Sequence, residues 1–157
     1  MHMFRQSLKA VALMFAISLG GVALGAGRDM NVDANDVAIH GYDPVAYFIK
    51  SQPIEGSSRF TATHKNAIYQ FSTAENRDMF RADPARYAPR FGGYCAMGVA
   101  LNKKLDGDPN AWKIHNGKLY LNVNKDVQAK WSQDIPGNLK TANGAWPKIK
   151  DKKPEDL

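Results

Sequence analysis

The chain contains a single cysteine, Cys95, among its 157 residues. One cysteine excludes an internal disulfide bond, so the fold has no covalent cross-link of that kind. In an oxidising compartment a lone thiol must be buried, bound to a ligand or exposed to pairing with another molecule. The sequence also lacks the serine-elbow, phosphate-loop, dinucleotide-binding and zinc-protease motifs, so no complete catalytic constellation can be identified from it.

Charged residues are absent from Ala10 to Ala26, directly after a short head that carries Arg5 and Lys9. This pattern is typical of a secretory signal, and the small residues Ala23 and Gly25 occupy the positions that a signal peptidase requires. A retained membrane anchor is the alternative, but the run is shorter than the ~20 apolar residues that span a bilayer. We therefore predict a signal peptide over residues 1–25, cleaved after Gly25 or one residue later, and a periplasmic or secreted product.

Excess charge is modest, at a formal +6 over the whole chain. The basic residues are scattered and form no dense stripe before the C-terminal tail, which indicates a solvated surface and argues against a nucleic-acid partner. Nothing later in the chain is apolar enough to cross a bilayer, so no stable membrane span is expected after cleavage. The expected partner is a metal ion or an envelope protein, and the oligomeric state stays open.

Two hairpins are predicted in the remainder of the chain. Strand-forming residues flank a polar turn at His64-Lys65-Asn66, and a second pair of strands flanks Asn116-Gly117, where both turn positions tolerate positive φ. The predicted strands are Arg59–Thr63, Ala67–Phe71, Trp112–His115 and Lys118–Val123. The order of strands and helices predicts an α+β domain, in which a small antiparallel sheet built from two hairpins is packed with short helices.

Short helices are predicted between and after the hairpins. Asp43 can cap a helical turn that begins at the following proline, and Ser72 with Glu75 fits a capping box. Asn124 is the expected cap of a third helix, and a last short helix is expected from Asn138 to Ala145.

No repeat, low-complexity block or linker divides the mature part of the chain. We therefore predict one domain over residues 26–147. The final segment, residues 148–157, mixes charges with almost no apolar content, so we expect it to form a charged, flexible tail.

Four blocks of sequence together resemble a known family. The blocks are VAIHGYDPVAYF (37–48), YQFSTAEN (69–76), FRADPARY (80–87) and GGYCA (92–96). They are similar to exported YHS-domain proteins, and the resemblance extends over about residues 36–147. It implies a small metal-associated module of the kind found in or beside heavy-metal ATPases, although many stand-alone exported members have no assigned activity.

The chain departs from the family pattern at the thiols. The metal-associated versions have cysteines at positions that correspond to Ala46, to Ser72 and, at the junction between hairpin and helix, to Asn76. Alanine has no donor atom, and serine and asparagine are poor ligands for a soft metal. The resemblance therefore implies the fold but not the usual thiolate site.

Cys95 is the first candidate site residue, because it lies in a glycine-rich segment with Met97 two residues later. A thiolate and a thioether suit copper(I), which prefers soft sulfur ligands; zinc is the second expectation. Residues i and i+2 diverge by ~200° on a helix, so the pair can share a metal only if this segment is extended or looped. The alternative is that Cys95 is a small buried hydrophobe and Met97 fills a gap in the core.

His40 and His64 are the other candidate metal ligands. Imidazole is a common ligand, but the dispersed histidines show no ligand spacing, and histidines at turns are usually solvated. His40 adjoins Gly41-Tyr42-Asp43, whose oxygen atoms could assist, although capping is the simpler role for Asp43.

The function expected from the sequence is that of an exported, non-enzymatic module that binds a metal ion through Cys95, with help from Met97, His40 or His64. The first alternative is a structural or partner-interaction domain of the cell envelope, with Cys95 internal and no metal. A weaker alternative is a thiol-dependent enzyme in which Cys95 pairs with a histidine.

Overall fold

The computed structural model describes residues 25–157, so the predicted signal peptide lies outside the described residues apart from Gly25. The described residues form an α+β domain, as the sequence predicts. The strands are β1 (Ser57–His64), β2 (Ala67–Phe71), β3 (Asp108–His115) and β4 (Lys118–Asn122). The helices are α1 (Ala46–Ile49), α2 (Ala74–Ala82), α3 (Pro84–Tyr87), α4 (Ala96–Ala100), α5 (Lys125–Trp131) and α6 (Ile135–Ile149). Short 3-10 turns occupy Ile39–Gly41, Arg90–Gly93, Ser132–Asp134 and Pro154–Asp156.

Each hairpin is closed by a two-residue turn in the left-handed region. Lys65 and Asn66 have φ of 50° and 62°, and Asn116 and Gly117 have φ of 49° and 70°. Turns of this kind match the twist of the strands that they join, and Asn and Gly adopt them at little steric cost. Strand β1 pairs antiparallel with β2, and β3 with β4, so each hairpin is a two-stranded sheet of its own.

Strands β1 and β3 begin earlier than the sequence predicts. Each has a shift of register near its start, between Ser57 and Thr61 in β1 and between Asp108 and Trp112 in β3. A bulge interrupts the alternation of inward- and outward-facing side chains. The alternating sequence pattern therefore does not extend back to the first residue of either strand.

Of the predicted helix caps, Asn124 is found in place and Ser72 is displaced by one residue. Asn124 caps α5, since its Oδ1 accepts a hydrogen bond of 2.8 Å from Val127 N. The cap of α2 is Thr73, whose Oγ1 accepts from Asn76 N at 3.1 Å, and the predicted cap Ser72 is wrong. The hydroxyl of Ser72 is engaged elsewhere, as described below.

Two clusters of buried side chains form the core. The first lies around the β1–β2 hairpin and includes Tyr47, Tyr69 and Phe80. The second lies around α4, α5 and α6 and includes Val99 and Trp131. Most of the aromatic residues are therefore core residues, and the cleft described below lies where the two clusters meet the N-terminal segment.

Helix α6 is longer than the predicted Asn138–Ala145. It begins at Ile135, where Asp134 Oδ1 accepts a hydrogen bond of 3.0 Å from Gly137 N, and it runs through Pro147 to Ile149. Pro136 is tolerated in the first turn because its missing N–H would have no helical partner there. Proline disfavours the interior of a helix, but α6 continues past Pro147 to Ile149, which is buried in the second core cluster.

The end of the chain, expected to be a flexible tail, makes specific contacts with the domain. The buried ammonium group of Lys104 donates hydrogen bonds to the carbonyl oxygens of Lys150, at 3.0 Å, and Lys152, and to that of Arg28, at 2.6 Å. Lys104 Nζ also lies 4.9 Å from the ring centroid of Tyr94. One side chain thus joins the start of the described chain to its end.

No helix within residues 25–157 has the length and apolar character that a membrane crossing needs.

Candidate functional site

Cys95 is fully buried at the start of α4, where it acts as the helix cap. Its Sγ accepts a hydrogen bond of 3.3 Å from Gly98 N, and the thiol donates one of 3.6 Å to Asn122 Oδ1. Burial raises the pKa of Cys95, while the backbone amides of Gly98, Val123 and Met97 act in the opposite direction. The thiol is therefore occupied by contacts within the fold.

Met97 lies in the first turn of α4, and its side chain packs against the second core cluster. Its backbone N–H donates to Asn122 Oδ1 at 3.2 Å. Met97 lies within the helix, whereas Cys95, with φ of −55° and ψ of 119°, precedes it.

His40 is exposed and pairs with a carboxylate. Its Nε2 lies 2.8 Å from Oδ2 and 3.0 Å from Oδ1 of Asp106, and Asp106 also accepts a hydrogen bond of 2.7 Å from Asn31 Nδ2. Two successive residues, Ile39 and His40, have positive φ of 52° and 50°, a conformation that is costly for residues other than glycine. The pair is a surface contact that fixes this strained turn against the segment before β3.

His64 ends β1 and lines a cleft, whose volume is about 280 Å³. Its ring packs edge-on against Phe80, with ring centroids 6.2 Å apart. Burial lowers the pKa of His64, and the neighbouring charge of Lys65 lowers it further, so the imidazole is neutral near pH 7.

The four predicted site residues therefore lie in three places: Cys95 and Met97 at α4, His40 beside Asp106, and His64 in the cleft. Residues 25–157 contain no group of three or more His, Cys, Asp or Glu side chains arranged to hold a metal ion.

The cleft lies between the turn of the first hairpin, the Arg90–Gly93 turn and α6. The rings of Phe91 and Trp146 form its aromatic wall, with centroids 5.7 Å apart and planes at 65°. Its charged groups are Arg90 and the pair Lys65–Asp29, in which Nζ and Oδ2 are 3.7 Å apart. The cleft thus combines an apolar wall with a few polar groups, the composition that is usual for small-molecule sites.

The Arg90–Gly93 turn is strained where it forms the wall. Phe91 has φ of 56° and Gly92 has φ of 61°. A Cβ atom at Gly92 would overlap the carbonyl oxygen of Asp29, so only glycine allows the turn to dock on the N-terminal segment, where Asn31 N donates to Gly92 O at 2.8 Å. A strained aromatic residue held at a cleft is a common feature of functional sites.

Tyr69 borders the cleft but is itself fully buried. Its ring packs on Phe80 with centroids 4.7 Å apart, but its hydroxyl has no hydrogen-bond partner among residues 25–157. Tyr47, equally buried, instead donates to Pro109 O at 2.8 Å. A buried hydroxyl without a partner costs about 1–3 kcal/mol, and Asn122 Nδ2 and Trp131 Nε1 are likewise buried without a partner among residues 25–157.

The sequence gives no local signal for this cleft. Its residues come from separate parts of the chain, around positions 29, 64–69, 85–92 and 143–146, and only His64 among them was a predicted site residue.

A second buried polar site lies at the positions where the family resemblance implies thiols. Asp43 is fully buried, and its Oδ2 accepts hydrogen bonds from Ser72 N, Ser72 Oγ and Asn76 Nδ2 at 2.9, 2.7 and 2.8 Å. Its Oδ1 accepts from Val45 N at 2.9 Å and Ala46 N at 3.3 Å, in the turn that leads into α1; the helix itself begins at Ala46, two residues later than the predicted start at Pro44. A carboxylate with five donors therefore links α1 to the junction of β2 with α2.

No protein-family model, curated protein or solved structure matches the chain. The resemblance to YHS-domain proteins therefore stays a prediction.

Proposed function

We propose that this protein is an exported, non-enzymatic binding module that holds a small molecule in the cleft lined by Phe91 and Trp146, and that Cys95 serves the fold. The observation that carries the proposal is the strained backbone of Phe91, with φ of 56°, which holds its ring 5.7 Å from that of Trp146 in the wall of the cleft. Backbone strain clusters at functional sites, and an apolar wall with a few charged groups is the usual lining of a small-molecule site.

The contacts of Cys95 favour this interpretation over copper(I) or zinc binding. A metal ion requires the thiolate, whereas burial raises the pKa of Cys95. Ligation would also compete with the bond that Sγ accepts from Gly98 N, and so would weaken the cap of α4. A thiol-dependent enzyme needs a base within hydrogen-bond reach of the sulfur. Among residues 25–157, the polar neighbours of Cys95 Sγ are Asn122 Oδ1 and the backbone amides of Gly98, Val123 and Met97, and none of these is a base.

The cleft is tested by ligand titration of the ¹⁵N-labelled protein. Three sets of small aromatic probes would be added in turn: carboxylates, amines and neutral amides. We expect amide shifts confined to the hairpin turn at Lys65, to Arg90–Gly93 and to Trp146, and their loss when Gly92→Ala displaces the wall. Absence of saturable shifts with all three sets would contradict a small-molecule site. Gly117→Ala is the matched control, because a Cβ there meets nothing within 4 Å although its φ is likewise positive.

The role of Cys95 is tested separately by anaerobic titration with copper(I) and zinc against a competing chelator, in the wild type and in Cys95→Ala. We expect no difference in metal uptake between the two proteins. Stoichiometric metal binding that disappears in Cys95→Ala would support metal binding through Cys95 and contradict the purely structural role proposed for it.

A further inference from the structure

We infer that processing of the exported chain creates an ion pair that the precursor lacks: hydrolysis of the Gly25–Ala26 bond produces an α-ammonium group on Ala26, and Asp36 binds it. In the intact chain, Ala26 N already donates a hydrogen bond of 3.0 Å to Asp36 Oδ1. The inference rests on the export in the proposed function and does not depend on the cleft.

The cut changes the charge of a nitrogen atom that is already in place. Water adds across the peptide bond, so Gly25 leaves with the new carboxylate and Ala26 keeps the amine. A free α-amine has an ordinary pKa of roughly 8, so most of it is protonated near pH 7. A neutral amide donor thereby becomes an ammonium group beside a carboxylate, and hydrogen bonds between two ions are stronger than those between neutral groups.

The backbone of Asp36 holds its carboxylate in position. Asp36 has φ of 61°, a conformation that aspartate adopts more readily than most residues. Its N–H donates to Asp33 O at 3.1 Å, and its carbonyl oxygen accepts from Ile68 N of β2 at 2.7 Å. The carboxylate therefore extends from a turn that is anchored to the first hairpin, which reduces the freedom lost when it pairs.

Ala26 is packed on the domain although it is only the second described residue. It is half-buried and contacts the first core cluster, whereas Gly25 is exposed. A Cβ atom at Gly25 would lie 3.2 Å from Asp36 Oδ2, so both residues of the bond to be cut lie against the same carboxylate. Of the two cleavage positions predicted from the sequence, only the cut after Gly25 leaves the docked nitrogen on the mature protein.

The N-terminus of the exported protein tests the position of the cut. The full chain would be expressed in a bacterium with two membranes, and the periplasmic product analysed by intact mass and N-terminal sequencing. We expect a chain that begins at Ala26. A chain that begins at Gly27 would lack the nitrogen that Asp36 contacts, and would overturn the inference.

A double-mutant cycle tests the ion pair. Proteins that begin at Ala26 or at Ala23 would be released from an N-terminal fusion, each with and without Asp36→Asn. Asparagine has the same shape and also tolerates positive φ, so the change removes the charge alone. In the longer protein the ammonium group lies three residues earlier in the chain, and Ala26 N stays a neutral amide.

Denaturant unfolding of the four proteins gives the coupling between the two changes. We expect Asp36→Asn to lower the ratio of folded to unfolded protein about two- to fivefold more in the chain that begins at Ala26, the size typical of a partly exposed ion pair. Asp78→Asn is the matched control, because it removes the same charge from an exposed side chain on α2. Its effect should be equal in the two lengths.

The pKa of the α-amine provides a second measurement, which does not need a folded variant. In protein labelled with ¹³C-alanine that begins at Ala26, the methyl resonance of Ala26 follows ionisation of the amine. We expect a pKa above that of the same amine in a free peptide of residues 26–30, because the Asp36 carboxylate favours the charged form.

The outcomes distinguish the ion pair from the proposed function. Equal effects of Asp36→Asn in both lengths, or an α-amine pKa equal to that in the peptide, would overturn the inference and leave an exported binding module. A chain that keeps residues 1–25 and stays inside the cell would remove export from the proposed function as well. Binding in the cleft is measured separately by the ligand titration.

Discussion

The carboxylate of Asp43 lies 2.8 Å from the side-chain amide of Asn76, and both residues are buried. Asp43 is fully inaccessible and lies between α1 and the junction of β2 with α2, where its two oxygens accept five hydrogen bonds. A buried carboxylate is tolerated only when donors compensate the loss of hydration. The network therefore holds three elements together through one side chain.

Replacing Asp43 with alanine should destabilise the protein strongly. The change leaves the amides of Val45, Ala46 and Ser72 and the side chain of Asn76 without their acceptor, and we expect a loss of about 3–5 kcal/mol in the free energy of unfolding.

Denaturant unfolding followed by circular dichroism measures the cost of this change. Asp78→Asn is the control, because the Asp78 side chain is 61% exposed on α2; its effect should be within about 0.5 kcal/mol. A loss in Asp43→Ala no larger than that of the control would show that the five hydrogen bonds do not stabilise the fold.

Cys95→Ala should be destabilised by about 1–2 kcal/mol, because the change removes the cap of α4 and leaves a small void in the core. Cys95→Ser should lose less, since its hydroxyl can still accept from Gly98 N. Chemical denaturation of the two variants measures the difference, and equal stability of the alanine variant and the wild type would exclude a structural role for the sulfur.

The thiol of Cys95 should also resist alkylation until the protein unfolds, because it is fully buried. The folded pKa lies above the ordinary value of 9.0, so the folded state holds the thiol proton more tightly than the unfolded state does. Its contribution to stability is therefore complete below pH 9 and is lost as the pH rises through the folded pKa. Alkylation rates measured across this range in native and denaturing buffer provide the readout.

Lys104→Met should release the C-terminal segment. Methionine keeps the apolar stem but removes the ammonium group that donates to the carbonyls of Arg28, Lys150 and Lys152, and we expect a loss of about 2–3 kcal/mol. Hydrogen exchange at Lys150–Lys152 and proteolysis near the C-terminus should both accelerate. Lys103→Met is the control, because Lys103 is exposed. A C-terminal segment equally protected in both variants would mean that Lys104 does not hold it.

The features that the sequence predicts are those encoded locally. The turn at Asn116-Gly117 and the cap at Asn124 each depend on residues within a few positions of each other, and the structure contains both. Ser72 and Thr73 are both suitable caps for α2, so the sequence does not decide between them. Thr73 is the cap because the hydroxyl of Ser72 donates its hydrogen bond to Asp43, 29 positions away in the chain. The choice between two adjacent cap residues is made by tertiary contacts.

The candidate site could not be predicted for the same physical reason. A sequence pattern identifies Tyr69 as an inward-facing strand residue but does not show that its hydroxyl lacks a partner. Nor does it bring Trp146 of α6 beside Phe91, because that contact depends on how the second core cluster packs. The sequence shows that Cys95 is a chemically reactive residue type. Its structural role depends on Gly98 and Asn122, whose positions beside the sulfur are set by the fold.

Binding of anionic probes in the cleft should strengthen as the pH falls. His64 is next to Lys65 in the chain, lines the cleft together with Arg90 and Asp29, and packs on Phe80. Burial, and then the charge of Lys65, keep the pKa of His64 below the ordinary 6.5. Near pH 7 the imidazole is neutral, and protonation at lower pH adds a positive charge to the lining of the cleft. A bound carboxylate favours the protonated form, so its affinity must rise as that proton is taken up.

We expect the affinity for a small aromatic carboxylate to increase about two- to fivefold between pH 8 and pH 5, and that for the matching neutral amide to stay constant. Calorimetric titration across this range measures both affinities, and the imidazole proton resonances report the pKa of His64 with and without the probe. His64→Gln should remove the pH dependence, whereas His115→Gln, outside the cleft, should retain it. An affinity for the carboxylate that does not change with pH, or that changes equally in both variants, would show that His64 does not face the bound anion.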